Sequence, residues 1–313
     1  TGSAAIEACR DRDAIDIFIL HPHGRVSDVQ RRQMTTVDSA NVHNIAIEGT
    51  FDDCQDLVKA MFADAMFRDE VRLGAVNSIN WARVMAQVVY YIWAARKVGG
   101  GGPVSFSVPT GNFGNVFAAE TARRMGAPIN QLIVGSNRND ILTQFFGSGR
   151  MAIDDVEPSL SPSMDIQVSS NLERLIFDLL GRDGAAVADF MLRFRSEGSV
   201  EVDSDVLQGL SETWSGTSVD DAETLATIAR YHEMHDMVVD PHTAVGLLAA
   251  ERLRGDATIP IISLATAHPA KFPDAVEEAM GERPQLPAHL ADLMTLDEHF
   301  TELPNELAAV EQF

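Results

Sequence analysis

Apolar segments of strand length alternate with amphipathic segments of helix length through the first half of the chain. Short apolar runs at residues 15–20 and 44–48 predict buried strands, and residues 26–34 and 51–62 carry polar side chains on one face, as surface helices do. A further helix is predicted at residues 4–9, ahead of the first strand. This alternation predicts an α/β fold with mostly parallel sheets flanked by helices.

A strand, a glycine-containing turn and a helix follow one another most clearly in the middle of the chain. Residues 104–108 predict a strand, the turn PTGNFGN begins at Pro109, and residues 116–125 predict a helix that Gly126 caps. The next strand is expected at residues 132–134. Together these segments predict a strand, crossover helix and strand in one parallel sheet.

A second unit of this kind is predicted near the C-terminus. Asp240 is a candidate N-cap for a helix, and an apolar strand at residues 259–265 ends at Thr266. Between the two units, residues 136–168 are rich in Ser, Pro and Asp and are predicted to be loop. Residues 172–237 are predicted to be mainly helical.

The length of the chain indicates more than one compact lobe. Its 313 residues exceed the usual size of a single-core domain, so we expect two lobes with the ligand site between them. We expect residues 1–80 to form a small α/β lobe, incomplete because its upstream part is missing. Residues 81–313 are expected to form a large α/β lobe, with a surface strap from Glu282 onward.

Composition and charge exclude several classes of partner. The chain has 24 Lys and Arg against 46 Asp and Glu, a formal net charge of -22, so we expect no nucleic-acid partner. No apolar run approaches the roughly 20 residues that span a bilayer, so no membrane partner is expected. Two cysteines without a CxxC pair favour a reducing compartment, and we expect the cytoplasm.

The turn Gly111, Asn112, Phe113, Gly114 and Asn115 is the sharpest chemical signal. Its two glycines allow close backbone approach, and the helix that follows directs free N–H groups at an anion such as a phosphate. It matches neither the phosphate loop of NTPases, because no GK[ST] follows, nor the GxGxxG dinucleotide motif. The pattern alone favours the anion site no more than an ordinary tight turn, in which Gly and Asn adopt a left-handed backbone conformation.

A second candidate anion site surrounds the start of the helix predicted from residue 81. The sequence NSINWAR places Ser78, Asn80 and Arg83 around that helix start, where an arginine and free N–H groups could hold an anion. An ordinary capped helix, with Asn77 or Ser78 as the cap, explains the same residues.

Two further positions are candidates with an ordinary alternative. Thr266 ends a buried strand, at the sheet edge where ligands usually bind, but its spacing alone slightly favours a threonine that caps the next helix. Lys271 lies in the loop that follows and could be a Schiff-base donor, although most lysines are solvated. The histidine spacings match no standard zinc site, so no metal is expected.

Taken together, the motifs resemble those of threonine synthase, the pyridoxal phosphate enzyme that converts O-phosphohomoserine and water to threonine and phosphate. The resemblance covers nearly the whole chain. Eight segments in the family's order carry it: TGSAA from Thr1, HPHGRVSDVQRRQMTT from His21, EGTFDDCQ from Glu48, NSINWAR from Asn77, PTGNFGN from Pro109, SPSMD from Ser161, DPHTAVG from Asp240 and TAHPAKF from Thr266.

This resemblance implies a two-lobed fold of the tryptophan synthase β type with pyridoxal phosphate between the lobes. The residues that match the family's cofactor-phosphate loop are Gly111, Asn112, Phe113, Gly114 and Asn115. Thr266 matches the hydroxyl that bonds the pyridine nitrogen. The matches to the substrate-binding regions are Thr1, for the carboxylate, and Ser78, Asn80 and Arg83, for the phosphate.

The same resemblance places the Schiff-base lysine upstream of Thr1. We therefore expect this chain to be an N-terminally truncated piece that is inactive or nearly so, while the intact protein is the enzyme. Lys271 belongs to a different motif of the family and is not expected to replace that lysine. Two alternatives stay open: a related pyridoxal phosphate dehydratase, and a catalytically inactive phosphate or metabolite binder. The residues do not indicate an oligomeric state.

Overall fold

The computed structural model describes residues 2–313 and divides the chain into two compact units. The first unit comprises residues 2–77 together with Gln285–Phe313, and the second comprises Ser78–Pro284. The expected division near residue 80 into functional lobes stays a prediction. The structure itself groups the C-terminal segment with the first unit.

The first unit begins with alternating helices and strands, as the apolar pattern predicts. Its elements up to residue 77 are α1 (Gly2–Cys9), β1 (Ile17–Pro22), α2 (Asp28–Thr35), β2 (Val42–Ile47), α3 (Phe51–Ala63) and α4 (Ala65–Glu70). Helix α3 starts with a capping box, in which the Thr50 side chain accepts from the Asp53 N–H and Asp53 accepts from the Thr50 N–H. Asp53 thus stabilises a helix start, as its position in the first turn indicates.

The second unit contains the larger sheet and most of the helices. Its elements are α5 (Trp81–Gly99), β3 (Val104–Pro109), α6 (Gly114–Arg124), β4 (Ile129–Ser136), α7 (Ile141–Ser148), β5 (Arg150–Ala152), α8 (Leu172–Leu179), α9 (Gly184–Glu197), β6 (Ser199–Glu201), α10 (Ser204–Ser211), β7 (Trp214–Ser218), α11 (Asp221–His235), α12 (Pro241–Leu253), β8 (Ile261–Ser263) and α13 (Pro273–Met280).

The C-terminal segment returns to the first unit, where it adds β9 (Thr301–Leu303) and α14 (Leu307–Glu311). Strand β9 pairs in parallel with β2 and extends the sheet to the order β1-β2-β9. Val310 is buried in the same apolar cluster as Ile45 and Ile47. The segment is therefore part of a sheet and of an apolar core, whereas a strap on the surface was expected. Its pairing partner lies about 250 residues away in sequence, and local pattern cannot indicate it.

The sheet of the second unit has four parallel strands in the order β7-β4-β3-β8. All six residues of β3 are buried, because helices cover both faces of this central strand. Ser107 fits in this interior because its Oγ donates to the Gly246 carbonyl of α12 at 2.6 Å. The carboxyl ends of β3 and β8 are neighbours, so the turn after β3 and the segment after β8 meet at one sheet edge.

Two segments differ from the expectation. Residues 136–168 were predicted to be loop, but they contain α7 and β5; the short apolar stretch ILTQFFGS is hidden between polar, turn-forming flanks. Residues 172–237 were predicted to be mainly helical, yet they also contain β6 and the edge strand β7. The sequence WSGTS of β7 has no strand periodicity, and only its pairing with β4 makes it a strand.

Candidate active site

The turn between β3 and α6, residues Gly111–Asn115, is called the cofactor loop below, after the role that the resemblance implies for it. Two of its backbone carbonyls are bound by residues that precede α8: the Gly111 carbonyl accepts from Ser169 Oγ at 2.7 Å, and the Asn112 carbonyl accepts from the Asn171 N–H at 3.2 Å. The Asn112 side chain accepts from Ser170 Oγ at 3.0 Å. The loop is therefore held in one conformation by its acceptor groups, which leaves its donor groups for a ligand.

The N–H groups of the cofactor loop are those of a helix start. Within residues 2–313, no protein acceptor binds the backbone N–H groups of Gly111 through Val116. Such groups carry partial positive charge at the N-terminus of α6, which favours a bound anion. This arrangement supports the anion-cradle interpretation of the turn over the alternative of a tight turn alone.

The backbone of Phe113, in the middle of the loop, is strained. It has φ 65° and ψ -11°, in the left-handed region that a bulky residue rarely adopts. Its ring is 1% exposed and stacks on Trp214, with 5.4 Å between the ring centroids, while Phe146 stacks on the same Trp214 at 4.9 Å. Burial of these three rings compensates for the strained backbone and keeps the N–H groups directed outward from the helix start.

Both glycines of the loop are required by close contacts. A Cβ atom on Gly111 would lie 2.5 Å from the Ser163 carbonyl oxygen, and one on Gly114 would lie 2.9 Å from Ser78 Cβ. The SPSMD segment therefore packs directly on the loop. Its position is held in turn by His242, whose Nε2 accepts from the Ser163 N–H at 3.2 Å.

Asn115 at the start of α6 is bound by two tyrosines of α5. Tyr90 and Tyr91 both donate their hydroxyl groups to Asn115 Oδ1, the latter at 2.7 Å. Burial raises the pKa of Tyr90 to about 12, and it raises the pKa of Tyr91 well above its usual value. Both phenols are therefore neutral donors that hold the Asn115 amide through its oxygen.

The residues of the NSINWAR motif take separate positions. Ser78 lies against the loop, because a Cβ atom on Gly114 would be 2.9 Å from Ser78 Cβ, and its Oγ accepts from Asn171 Nδ2 at 2.8 Å. Asn80, and not Asn77 or Ser78, is the N-cap of α5, and its Oδ1 accepts from the Ala82 N–H at 3.0 Å. Arg83 is an exposed residue in the first turn of α5. The positive charge of Arg83 acts to lower the pKa of Tyr90, but burial raises that pKa and is the larger effect.

Thr266 follows β8 at the same sheet edge, with its side chain exposed. Its backbone N–H donates to Thr243 Oγ1 at 3.3 Å, and Thr243 Oγ1 donates in turn to Asp240 Oδ2. The remaining predicted substrate residue, Thr1, lies outside the described residues.

Asp240 anchors this corner of the second unit. It is the N-cap of α12, as predicted, and its carboxylate is fully buried. Burial acts to raise the pKa of Asp240, but hydrogen bonds from His242 and Thr243 outweigh it, so that the pKa lies below its usual value. Lys271 lies close by, half-buried, and burial lowers its pKa against the opposing charge of Asp240. The acid therefore stays ionised where it orients Thr243, and through Thr243 the backbone at Thr266.

Two residues of this region were not predicted from the sequence. Asn171 and Arg174 lie in the sequence SSNLER at the start of α8, and both contact the NSINWAR motif. Ser169 and Asn171 are buried, at 7% and 2% exposure, and Ser170 between them is partly buried. Three consecutive polar residues ahead of an amphipathic helix are the signal that was available, but they are equally typical of an ordinary helix cap.

Comparisons with known proteins identify the family to which the chain belongs. The family model for pyridoxal-phosphate dependent enzymes matches residues 1–192, and the model for the C-terminal region of threonine synthase matches residues 243–313. The threonine synthase of Pseudomonas aeruginosa is 55% identical over 315 residues, covering 100% of this chain and 67% of the relative. That of Corynebacterium glutamicum is 48% identical over 323 residues, with the same coverage.

Solved structures give the same result. The crystal structure of a PLP-bound threonine synthase from Brucella melitensis superimposes with a TM-score of 0.90 at 51% identity, covering 99% of this chain and 67% of that one. The yeast threonine synthase has a TM-score of 0.86 at 40% identity, covering 99% and 66%. The fold and site define a pyridoxal-phosphate-dependent enzyme of the tryptophan synthase β type. Within that class, the chain belongs to the threonine synthases, lyases of threonine biosynthesis, and it spans about two thirds of their length.

Within residues 2–313, no group of three or more His, Cys, Asp or Glu side chains is placed so that it could hold a metal ion. No helix in that part of the chain combines the length and the apolar character needed to cross a membrane.

Proposed function

We propose that the intact protein converts O-phospho-L-homoserine and water to L-threonine and phosphate, and that the present residues supply the anion-binding parts of that site. The observation that carries the proposal is the contact between Ser78 and the cofactor loop, since it joins two candidate phosphate sites. A site for a phosphorylated substrate and a phosphorylated cofactor needs two such parts. An alternative dehydratase, whose substrate has no phosphate, needs only the cofactor loop.

The residues present fit pyridoxal phosphate. The backbone N–H groups of Gly111 through Val116 would hold its phosphate at the start of α6, and neither Gly111 nor Gly114 tolerates a side chain beside that position. We propose the Thr266 hydroxyl as the partner of the ring nitrogen, because it is exposed at the same sheet edge. When bound, the cofactor supplies an electron sink for negative charge on the substrate carbon next to the amine.

The substrate phosphate would bind at Ser78, Asn80 and Arg83. The guanidinium of Arg83 is exposed in the first turn of α5, where the helix dipole also favours an anion. The formal net charge of -22 makes a local cation necessary, because the surrounding field repels a dianionic group. A positioned cation also stabilises phosphate as it leaves. We further propose that residues 1–313 alone are inactive, because the resemblance places the Schiff-base lysine outside them.

The test uses protein expressed from its complete reading frame. Turnover of O-phosphohomoserine should yield threonine and phosphate in equal amounts, while the 313-residue chain alone should yield neither. Formation of a keto acid from serine without turnover of O-phosphohomoserine would instead identify a dehydratase. Binding of pyridoxal phosphate without any turnover would identify a metabolite binder.

The role of Arg83 is tested by Arg83→Ala in the same protein. The KM for O-phosphohomoserine should rise at least about tenfold, as expected for a charge-assisted contact. Arg96→Ala is the matched control, because Arg96 is also an exposed arginine of α5, one that lies in the last turn. An unchanged KM in the Arg83 variant would remove Arg83 from the site.

A further inference from the structure

One buried amide touches both candidate anion sites. Asn171 is 2% exposed and lies immediately before α8. Its Nδ2 donates to Ser78 Oγ at 2.8 Å and to the Asn112 carbonyl of the cofactor loop at 3.0 Å. Its backbone N–H donates to the same Asn112 carbonyl at 3.2 Å. A single side chain therefore connects the cofactor loop to Ser78 without an intervening residue.

Arg174, one helical turn further along, fixes the orientation of that amide. Its Nε donates to Asn171 Oδ1 at 2.9 Å, so the oxygen must face the guanidinium and the NH₂ group must face Ser78 and Asn112. Its Nη2 donates to the carbonyls of Ile79 at 3.0 Å and Ser78 at 3.4 Å. The guanidinium also lies 5.5 Å from the ring centroid of Trp81.

The environment makes Arg174 a structural cation. Burial is the main cause that lowers its pKa, although arginine still stays charged. Its Nε and Nη2 atoms donate to the Asn171 side chain and to the backbone before α5, so this edge of the guanidinium binds protein groups and not a ligand. In this respect it differs from the exposed Arg83.

The two segments are packed too closely for any adjustment between them. A Cβ atom on Gly114 would lie 2.9 Å from Ser78 Cβ and 3.3 Å from Asn171 Nδ2, which is tighter than ordinary contact. A shift of the segment at Ser78 would therefore move the cofactor loop as well. Buried hydrogen bonds in such a network are costly to break, since each leaves an unpaired polar group.

We propose that Asn171, oriented by Arg174, is a positioning residue that sets the distance between the cofactor-phosphate site and the substrate-phosphate site. The inference rests on the proposed function, because it takes the segment at Ser78 as the place where the substrate phosphate binds. It predicts that one change at Asn171 weakens the binding of both anions, although Asn171 itself touches neither of them. A residue that served only one segment would affect one anion.

The test is Asn171→Asp in protein from the complete reading frame. Replacing the donor NH₂ by an oxygen removes the side-chain bond to the Asn112 carbonyl, leaves Ser78 able only to donate to position 171, and adds a buried negative charge near both phosphates. The dissociation constant of pyridoxal phosphate and the KM for O-phosphohomoserine should each rise about tenfold or more, with a smaller change in kcat. Asn130→Asp, the same change at an exposed position of β4, is the matched control and should alter neither value.

Arg174→Lys provides a second variant if the Asn171 variant fails to fold. A lysine keeps the charge but cannot bond Asn171 and Ile79 at once, so both constants should rise in the same direction by a smaller factor. Thermal unfolding checks that each variant is folded at the assay temperature. Rises in only one of the two constants, or a change confined to thermal stability or to kcat, would overturn the inference.

The outcomes also separate this inference from the proposed function. If the wild-type protein does not turn over O-phosphohomoserine, the proposed function fails. Binding of inorganic phosphate and of pyridoxal phosphate, each measured by equilibrium dialysis, then replaces the kinetic assay. In that case, lower affinity for both ligands in Asn171→Asp supports the inference, and lower affinity for only one of them contradicts it.

Discussion

The close contact between Gly111 and the SPSMD segment gives a sharp prediction for Gly111→Ala. The added Cβ would lie 2.5 Å from the Ser163 carbonyl oxygen and 3.2 Å from Met164 Cα, where ordinary contact begins near 3.4 Å. Both neighbours are main-chain atoms, so no side-chain rotation relieves the overlap. Either the cofactor loop or the SPSMD segment must therefore move.

Neither segment can move without loss. The Ser163 N–H donates to buried His242, Met164 is 3% exposed, and the Gly111 carbonyl accepts from Ser169. Overpacking at a site of this kind costs roughly 1–3 kcal/mol, so we expect the free energy of unfolding to fall by about 2 kcal/mol. A displaced loop would also redirect its N–H groups, and the affinity for pyridoxal phosphate should fall about tenfold.

Urea denaturation and cofactor titration of protein from the complete reading frame measure both effects. Gly209→Ala is the matched control, because Gly209 lies within α10 and a Cβ there would meet no heavy atom within 4 Å. Removing backbone freedom from a helix interior should raise the free energy of unfolding by about 0.5–1 kcal/mol. Equal stability and equal cofactor affinity in the two variants would refute the packing argument.

Three further predictions concern stability and reactivity. Glu298→Gln removes a carboxylate that accepts from Arg31 Nε at 2.7 Å, which should cost about 2 kcal/mol at pH 7. Hydrogen bonding from Arg31 is the main cause that lowers the pKa of Glu298 from 4.5 to about 2, so urea titrations should show the difference above about pH 5 and lose it as the pH falls toward 2. Tyr91→Phe should lower the free energy of unfolding by about 1 kcal/mol, because Asn115 keeps its bond from Tyr90; an unchanged denaturation midpoint would contradict this. Burial raises the pKa of the Cys54 thiol to about 12, so native iodoacetamide labelling should leave Cys54 unmodified until the protein unfolds.

The local pattern predicted those elements whose signals lie within a few residues of one another. Strand β3, its turn, α6 and β4 have apolar runs, two glycines and a cap in direct succession, and the structure confirms them within a few residues. The N-cap at Asp240 is confirmed for the same reason. The expected strand at residues 259–265 is shorter, because β8 exists only over the three residues Ile261–Ser263 that pair with β3.

The local pattern could not predict contacts between segments that are distant in sequence. Asn80 could not be chosen over Asn77 and Ser78 as the cap of α5, since all three have suitable side chains and only the backbone path decides. The role of Asn171 depends on a partner 93 residues earlier in the chain. Nothing in the sequence SSNLER distinguishes such a contact from helix capping.

The identity of the loop residues was encoded locally, because glycine spacing and helix-start signals are properties of consecutive residues. What made the loop a site was decided by tertiary structure. The buried rings that hold Phe113 at positive φ come from α7 and β7, two elements that the pattern did not predict. Strain at one residue persists only when distant packing compensates for it, so the conformation that directs the N–H groups at an anion depends on the completed fold.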